Sequence, residues 1–200
     1  MKGTPGSRRD VEAPAAGCGA PVRAVVLVGF MGAGKTSVGR ALSARTGWRF
    51  VDLDDRIQAR EQRTVAEIFR ESGEAEFRRA ESEALWELLR VVETGPLILA
   101  VGGGAFAQSE NASLLEGAVT PTVFLDASVD ELWKRCGADP VERPLRRKES
   151  EFRELYDARR PRYLQARLRV ETGGRPIERI VDEIVDSLGL TTGPGQGEVT

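Results

Sequence analysis

Residues 29–36 read Gly-Phe-Met-Gly-Ala-Gly-Lys-Thr and fit G-x-x-x-x-G-K-[ST] at every fixed position. An apolar run precedes this stretch and a helical pattern follows it, which is the context such a loop needs. Its glycines let backbone N–H groups converge on a β-phosphate at a helix N-terminus, where the helix dipole favours an anion. Gly32, Ala33 and Gly34 supply that backbone, and Ser37 continues it into the helix. Lys35 reaches the β- and γ-phosphates, and the Thr36 hydroxyl is placed to ligate Mg²⁺. The expected ligand is a nucleoside triphosphate with magnesium.

A second stretch, Phe50-Val-Asp-Leu-Asp-Asp-Arg-Ile57, ends an apolar run in three carboxylates, Asp52, Asp54 and Asp55. Like charges this close repel unless a cation, a ligand or water separates them. On an extended strand Asp52 and Asp54 project from one face and Asp55 from the other. Alternatively, Asp52 and Asp54 simply cap the next helix, since acids favour first turns. Asp55 suits a helix start under either reading. The chain has no histidine, so acid–base work falls to carboxylates, water or lysine. Its basic residues are nearly all arginine, the lysines being Lys2, Lys35, Lys134 and Lys148. Arginine offers the planar fork suited to phosphate and carboxylate.

These groups need elements to hold them. Val22–Val28 reads as a buried strand, followed by the Gly-rich turn and a helix carrying Val38, Ala41 and Leu42 that ends at Gly47. Trp48–Leu53 reads as a second strand. Thr64 with Glu67 forms a capping box, and Phe77, Ala80, Ala84, Leu88 and Val92 then repeat at helical spacing until Gly95-Pro96. Leu97–Val101 is a third strand, followed by Gly102, Gly103 and Gly104. Thr122–Leu125 is a fourth, and Ser128 with Glu131 caps the next helix. A basic loop over 138–148 leads to a helix through about 164 and a strand at Leu168–Glu171. The last helix starts at Pro176, with Ile177, Ile180, Val181, Ile184 and Leu188 facing inward and Gly189 at its end. Trp48, Trp86 and Trp133 read as core or half-buried packing. Buried runs alternating with amphipathic helices imply βαβ units and a parallel sheet covered on both faces.

The chain has 200 residues, enough for one domain that buries about 70% of the surface its unfolded chain exposes. Residues 1–21 read as a disordered leader, 22–190 as the domain and 191–200 as a flexible tail. A net charge of −2 and a pI near 5.5 argue against a nucleic-acid partner. No apolar run approaches the roughly 20 residues of a membrane span. Cys18 and Cys136 form neither a disulfide framework nor a metal pattern, as expected of a cytoplasmic protein. A guanine-reading switch usually carries Asn-Lys-x-Asp, whereas the only asparagine here is Asn111. A motor or remodelling ATPase would need more chain. A small-molecule kinase of minimal size remains.

Six ordered elements across about residues 24–188 resemble the shikimate kinases. They are "GFMGAGKTSVGRALS", Asp52-x-Asp54, "GEAEFRRAE", "AVGGGA", Arg143-Pro144-Leu145 and Arg159-x-Pro161-x-Tyr163. The resemblance implies a P-loop kinase fold, a five-stranded parallel sheet in the order 2-3-1-4-5, with a mobile acceptor-binding segment near 54–81 and a mobile lid near 138–150. It implies transfer of phosphate from ATP to the 3-hydroxyl of shikimate, a step in aromatic amino-acid biosynthesis. Arg78 and Arg159 would then grip the acceptor's carboxylate, Gly102, Gly103 and Gly104 would approach its ring, and Asp54 would orient or deprotonate the attacking hydroxyl. Asp52 would hold magnesium with Thr36, Arg143 would close over the phosphates, and Arg135 would stack on adenine with Arg175 nearby. The alternative reading of Arg78, beside Arg79, is a solvated or paired helix residue.

The chain departs from the family pattern in three places. Its lid is a few residues short, Arg146 and Arg147 follow Arg143-Pro144-Leu145, and Arg162 replaces a leucine. We expect a monomer. A kinase of another small hydroxy acid such as gluconate, or an ATP-binding homologue without turnover, are the alternative readings.

Overall fold

The structure, a computed structural model, describes residues 22–91, 95–117, 120–138 and 148–191. The expected leader, the tail beyond Thr191, Val92, Arg143 and nearly all of the expected lid lie outside the described residues.

Five short strands carry the fold: β1 (Ala24–Val28), β2 (Arg49–Asp52), β3 (Leu97–Ala100), β4 (Thr122–Asp126) and β5 (Leu168–Glu171). They form one parallel sheet in the order β2-β3-β1-β4-β5. The three middle strands, β3, β1 and β4, are buried at every residue. Because successive side chains leave a strand on opposite faces, that pattern means both faces of the sheet are covered. Among the described residues seven helices cross between strands or close the ends: α1 (Lys35–Thr46), α2 (Leu53–Glu61), α3 (Val65–Val91), α4 (Ser109–Gly117), α5 (Val129–Ala138), α6 (Glu149–Tyr163) and α7 (Ile177–Leu188).

The local signals behave as their chemistry dictates. Gly47 takes φ +73° and its N–H donates to the Ser43 carbonyl, ending α1. Thr64 and Glu67 form both halves of the capping box, with Thr64 N–H to Glu67 Oε2 at 2.7 Å and Glu67 N–H to Thr64 Oγ1 at 3.2 Å. The Thr64 backbone N–H holds the Glu67 carboxyl below its ordinary pKa. Ser128 Oγ accepts from Glu131 N–H at 3.3 Å, as expected.

Several expectations need correction. The second strand ends at Asp52, and Leu53 already belongs to α2. Helix α3 is broken at Gly73 (φ 82°, ψ 173°), a conformation open essentially to glycine alone. Phe69 and Phe77 stack across the break with ring centroids 4.8 Å apart. Helix α4 was not anticipated; the buried Asn111 ties it down by donating to the Ala105 carbonyl at 3.1 Å. Ile177, the first residue of α7, is 37% exposed and lines a cavity, while Ile180, Val181 and Ile184 are buried. Trp86 is 48% exposed, with the Arg90 guanidinium 4.6 Å from its ring centroid, so it sits on the solvent face of α3.

Candidate active site

The C-terminal ends of β1, β2 and β3 open onto two adjoining cavities. The larger, about 470 Å³, is walled by the residue 31–38 loop and the start of α1. The loop's shape is held from beneath. Phe30 is buried edge-on against Phe152 (5.0 Å) and Tyr156 (5.5 Å) of α6. Gly32 takes φ +82°, and a Cβ there would lie 2.9 Å from the Leu132 carbonyl oxygen and the Cys136 Sγ. Lys35 Nζ donates to the carbonyls of Gly29 (2.9 Å) and Phe30 (3.1 Å). Gly32, Ala33, Gly34, Thr36 and Ser37 all line this cavity.

Thr36 Oγ1 donates to Asp52 Oδ2 at 2.7 Å, across 16 residues of chain. The other Asp52 oxygen accepts the Asp54 N–H at 3.1 Å, so Asp52 is also the N-cap of α2. The helix-cap reading of Asp52 therefore holds for one oxygen, while the other meets the loop threonine. Asp54 does not lie on the strand. It occupies the first turn of α2, and the helix turn rather than strand alternation carries its carboxylate to the cavity wall. Asp55 is exposed and lines neither cavity, in keeping with a helix start.

Arg135 and Arg175 line the far end of the same cavity. Arg135 Nη2 pairs with Glu131 (2.5 Å) and donates to the Thr172 carbonyl (2.9 Å), while Nη1 reaches the Gly32 carbonyl (3.4 Å). Arg175 donates to the Glu171 carbonyl at 2.9 Å and pairs with Glu183 at 2.7 Å.

The smaller cavity, about 110 Å³, shares Met31, Asp54, Gly102 and Gly103 with the first. Its polar wall is Arg78, Glu81, Arg159 and Gly104, and its apolar wall is Val65, Phe69 and Phe77. Arg78, only 17% exposed, donates Nη1 to Glu81 Oε2 (2.8 Å) and Nη2 to Glu74 Oε1 (3.0 Å). Its neighbour Arg79 is exposed, pairs with Glu76 and lines neither cavity. A Cβ on Gly104 would overlap the Arg78 guanidinium, and one on Gly102 would lie 2.7 Å from Glu81 Oε1 and 3.1 Å from Asp54 Oδ1. The glycine segment thus runs directly beneath three charged groups.

Sequence reasoning missed Glu81 and gave Tyr163 no role. Glu81 is 0% exposed, and Gln108 Nε2 donates to its Oε2 at 2.8 Å. Burial pushes its carboxyl above the ordinary pKa, against the pull of the Arg78 guanidinium. Its place three residues after Arg78, on one helical face, was the available signal. Arg162, the departure from the family pattern, is exposed.

A phosphate loop at the end of a central parallel strand, an aspartate on the wall between two cavities and a cationic second cavity define a P-loop kinase of small molecules. The model of the shikimate kinase family matches residues 31–189. A shikimate kinase of Persephonella marina is 38% identical over 165 residues, 82% of this chain and 98% of the relative. One from Thermus thermophilus is 41% identical over 171 residues, 84% of this chain and 91% of the relative. The solved shikimate kinase of Acinetobacter baumannii in complex with shikimate superposes with a TM-score of 0.77 at 32% identity, covering 84% of this chain and 93% of that one. The chain belongs to the shikimate kinase family.

Proposed function

We infer that this protein transfers the γ-phosphoryl group of ATP to the 3-hydroxyl of shikimate, giving shikimate 3-phosphate and ADP. One observation carries the reading: Asp54 stands on the wall shared by the phosphate-loop cavity and the cavity that Arg78 and Arg159 line. A hydroxyl accepting phosphate must meet the nucleotide at that wall, and a carboxylate there accepts its hydrogen bond and aims the oxygen at phosphorus. Phosphoryl transfer demands positioning and charge neutralisation above all.

The roles follow from the chemistry of each group. The backbone from Gly32 to Thr36, with Ser37, cradles the phosphates, and Lys35 leaves its loop carbonyls for the β- and γ-oxygens. Arg78 and Arg159 grip the acceptor carboxylate through charge-assisted bonds, and Gly102–Gly104 lie against the ring. Arg135, fixed by Glu131 and Thr172, presents its flat guanidinium to the adenine beside Arg175. Arg143 closes over the transferring group as an added cation.

Mg²⁺ fits the residues present. Thr36 and Asp52 place a hydroxyl and a carboxylate oxygen in contact on the loop wall. No cluster of three or more His, Cys, Asp or Glu side chains suited to a metal occurs among the described residues. That sparse donor set suits an ion that takes its remaining oxygens from phosphate and water. When bound, the ion neutralises charge on the β- and γ-phosphates. Among the described residues no helix is long and apolar enough to cross a membrane. A cytoplasmic monomer remains our proposal.

The test is a coupled ADP-release assay across shikimate, quinate, gluconate and nucleoside monophosphates. Shikimate should raise ADP release well above the rate with water alone. Release driven by gluconate and not by shikimate would establish the alternative acceptor.

A further inference from the structure

Helix α6 is fastened at both ends, and Arg159 lies between the fastenings. Toward its start, Phe152 and Tyr156 pack on Phe30 of the phosphate loop. At its last residue, Tyr163 is 0% exposed, its ring stacked on Phe124 of β4 with centroids 5.3 Å apart. The Tyr163 hydroxyl donates to the Gly103 carbonyl. Arg159 stands four residues earlier on the same face, and its guanidinium lies beside the same glycine. The crowding is measurable at Gly103: a Cβ there would lie 3.2 Å from the tyrosine oxygen, 3.4 Å from the Gly29 carbonyl oxygen and 3.6 Å from Arg159 Nη1.

We propose that the Tyr163 hydroxyl is a positioning group of the acceptor site, accepting from Arg159 while donating to Gly103, and so setting the guanidinium against the glycine segment before the acceptor arrives. The proposal rests on the shikimate-phosphorylating reading and deepens it. An arginine side chain has many rotamers, and one held in its binding geometry loses less freedom when a carboxylate docks. The hydroxyl suits the task because it donates and accepts at once. Burial pushes its pKa up to about 12, so it keeps its proton throughout the range in which a kinase works. The ring alone would serve packing on Phe124; the oxygen reaches the acceptor cavity wall, where Gly103 and Arg159 both stand.

Ring and oxygen can be separated. In the full-length chain, Tyr163→Phe keeps the stack and removes the oxygen. Its KM for shikimate should rise about 5- to 10-fold, the size of one lost hydrogen bond, with the KM for ATP within about 2-fold of wild type. Phe124→Leu loosens the stack and keeps the oxygen; it should lower Tm while leaving the shikimate KM within about 2-fold. The proposal is overturned if Tyr163→Phe leaves the shikimate KM unchanged, if both KM values rise together, or if Phe124→Leu raises the shikimate KM as much. A Tyr163→Phe chain that does not fold overturns it as well, since the hydroxyl would then be a folding group. A wild-type chain inactive on shikimate refutes the functional reading instead, and that result is read before either variant.

Discussion

The two cavities are built from different materials. The phosphate-loop cavity takes one wall from consecutive residues of a single loop and a helix N-terminus, with one lysine resting on loop carbonyls. The acceptor cavity is built from side chains of α2, α3 and α6 around a glycine segment, and it contains buried charge. Main-chain donors bind any phosphate of the right shape, since every residue carries one. Side-chain donors must each be placed and kept in place, so Arg78 needs Glu81 and Glu74, and Glu81 needs Gln108. Acceptor identity is therefore the part of the activity most exposed to mutation far from the chemistry.

The wall between the cavities should be the most sensitive point. Asp54→Asn should lower kcat by about 10² or more while leaving ATP affinity near wild type, and Asp55→Asn should leave kcat nearly unchanged. Steady-state kinetics with a parallel nucleotide titration measures both, and equal damage from the two would erase the distinction between cavity wall and helix start. Next in size, Arg78→Ala should raise the shikimate KM by about 30-fold or more, because it removes a charged partner and leaves Glu81 buried beside Asp54. A comparable rise in the KM for ATP would mean that the cavities are not separate in function.

A smaller effect concerns pH. Burial raises the Glu81 carboxyl above its ordinary value of 4.5, so the folded chain holds that proton more tightly than the unfolded chain does. The stability linked to this group is fully present below about 4.5 and is lost as pH rises through the higher folded value. Glu81→Gln removes that slope. The Tm difference between variant and wild type should therefore move in the variant's favour as pH climbs from 4.5 in a thermal-melt series. A difference that stays flat would mean Arg78 cancels the burial. Smallest of all, Thr64→Ala opens the capping box of α3 and should cost about 1 kcal/mol, read as a few degrees in Tm, with kcat unchanged.

How far each half could be read in the sequence follows from the same contrast. The phosphate loop is legible because its groups are contiguous and its spacing encodes a backbone shape. The places of the five strands and the ends of α1 and α7 were legible through buried runs and terminal glycines, while the strand order came from the family resemblance. Asp54 lines the cavity for a reason other than the strand alternation invoked for it: α2 begins at Leu53 and its first turn does the aiming. Glu81 and Tyr163 were hidden because their partners lie far along the chain, Gln108 27 residues from Glu81 and Gly103 60 residues from Tyr163. Periodicity marks a buried position; it does not say which polar group waits there. Helix α4 carries too few apolar residues in "SENASLLEG" to show a helical stripe.

The resting place of Lys35 sets an admission rule. Its ammonium closes a small electrical loop with the carbonyls of Gly29 and Phe30, whose oxygens would otherwise face any approaching anion. A solute that draws the ammonium off these carbonyls must offer it negative charge of its own. A polyphosphate carries that charge and a neutral sugar does not, so charge counts at this loop as well as shape.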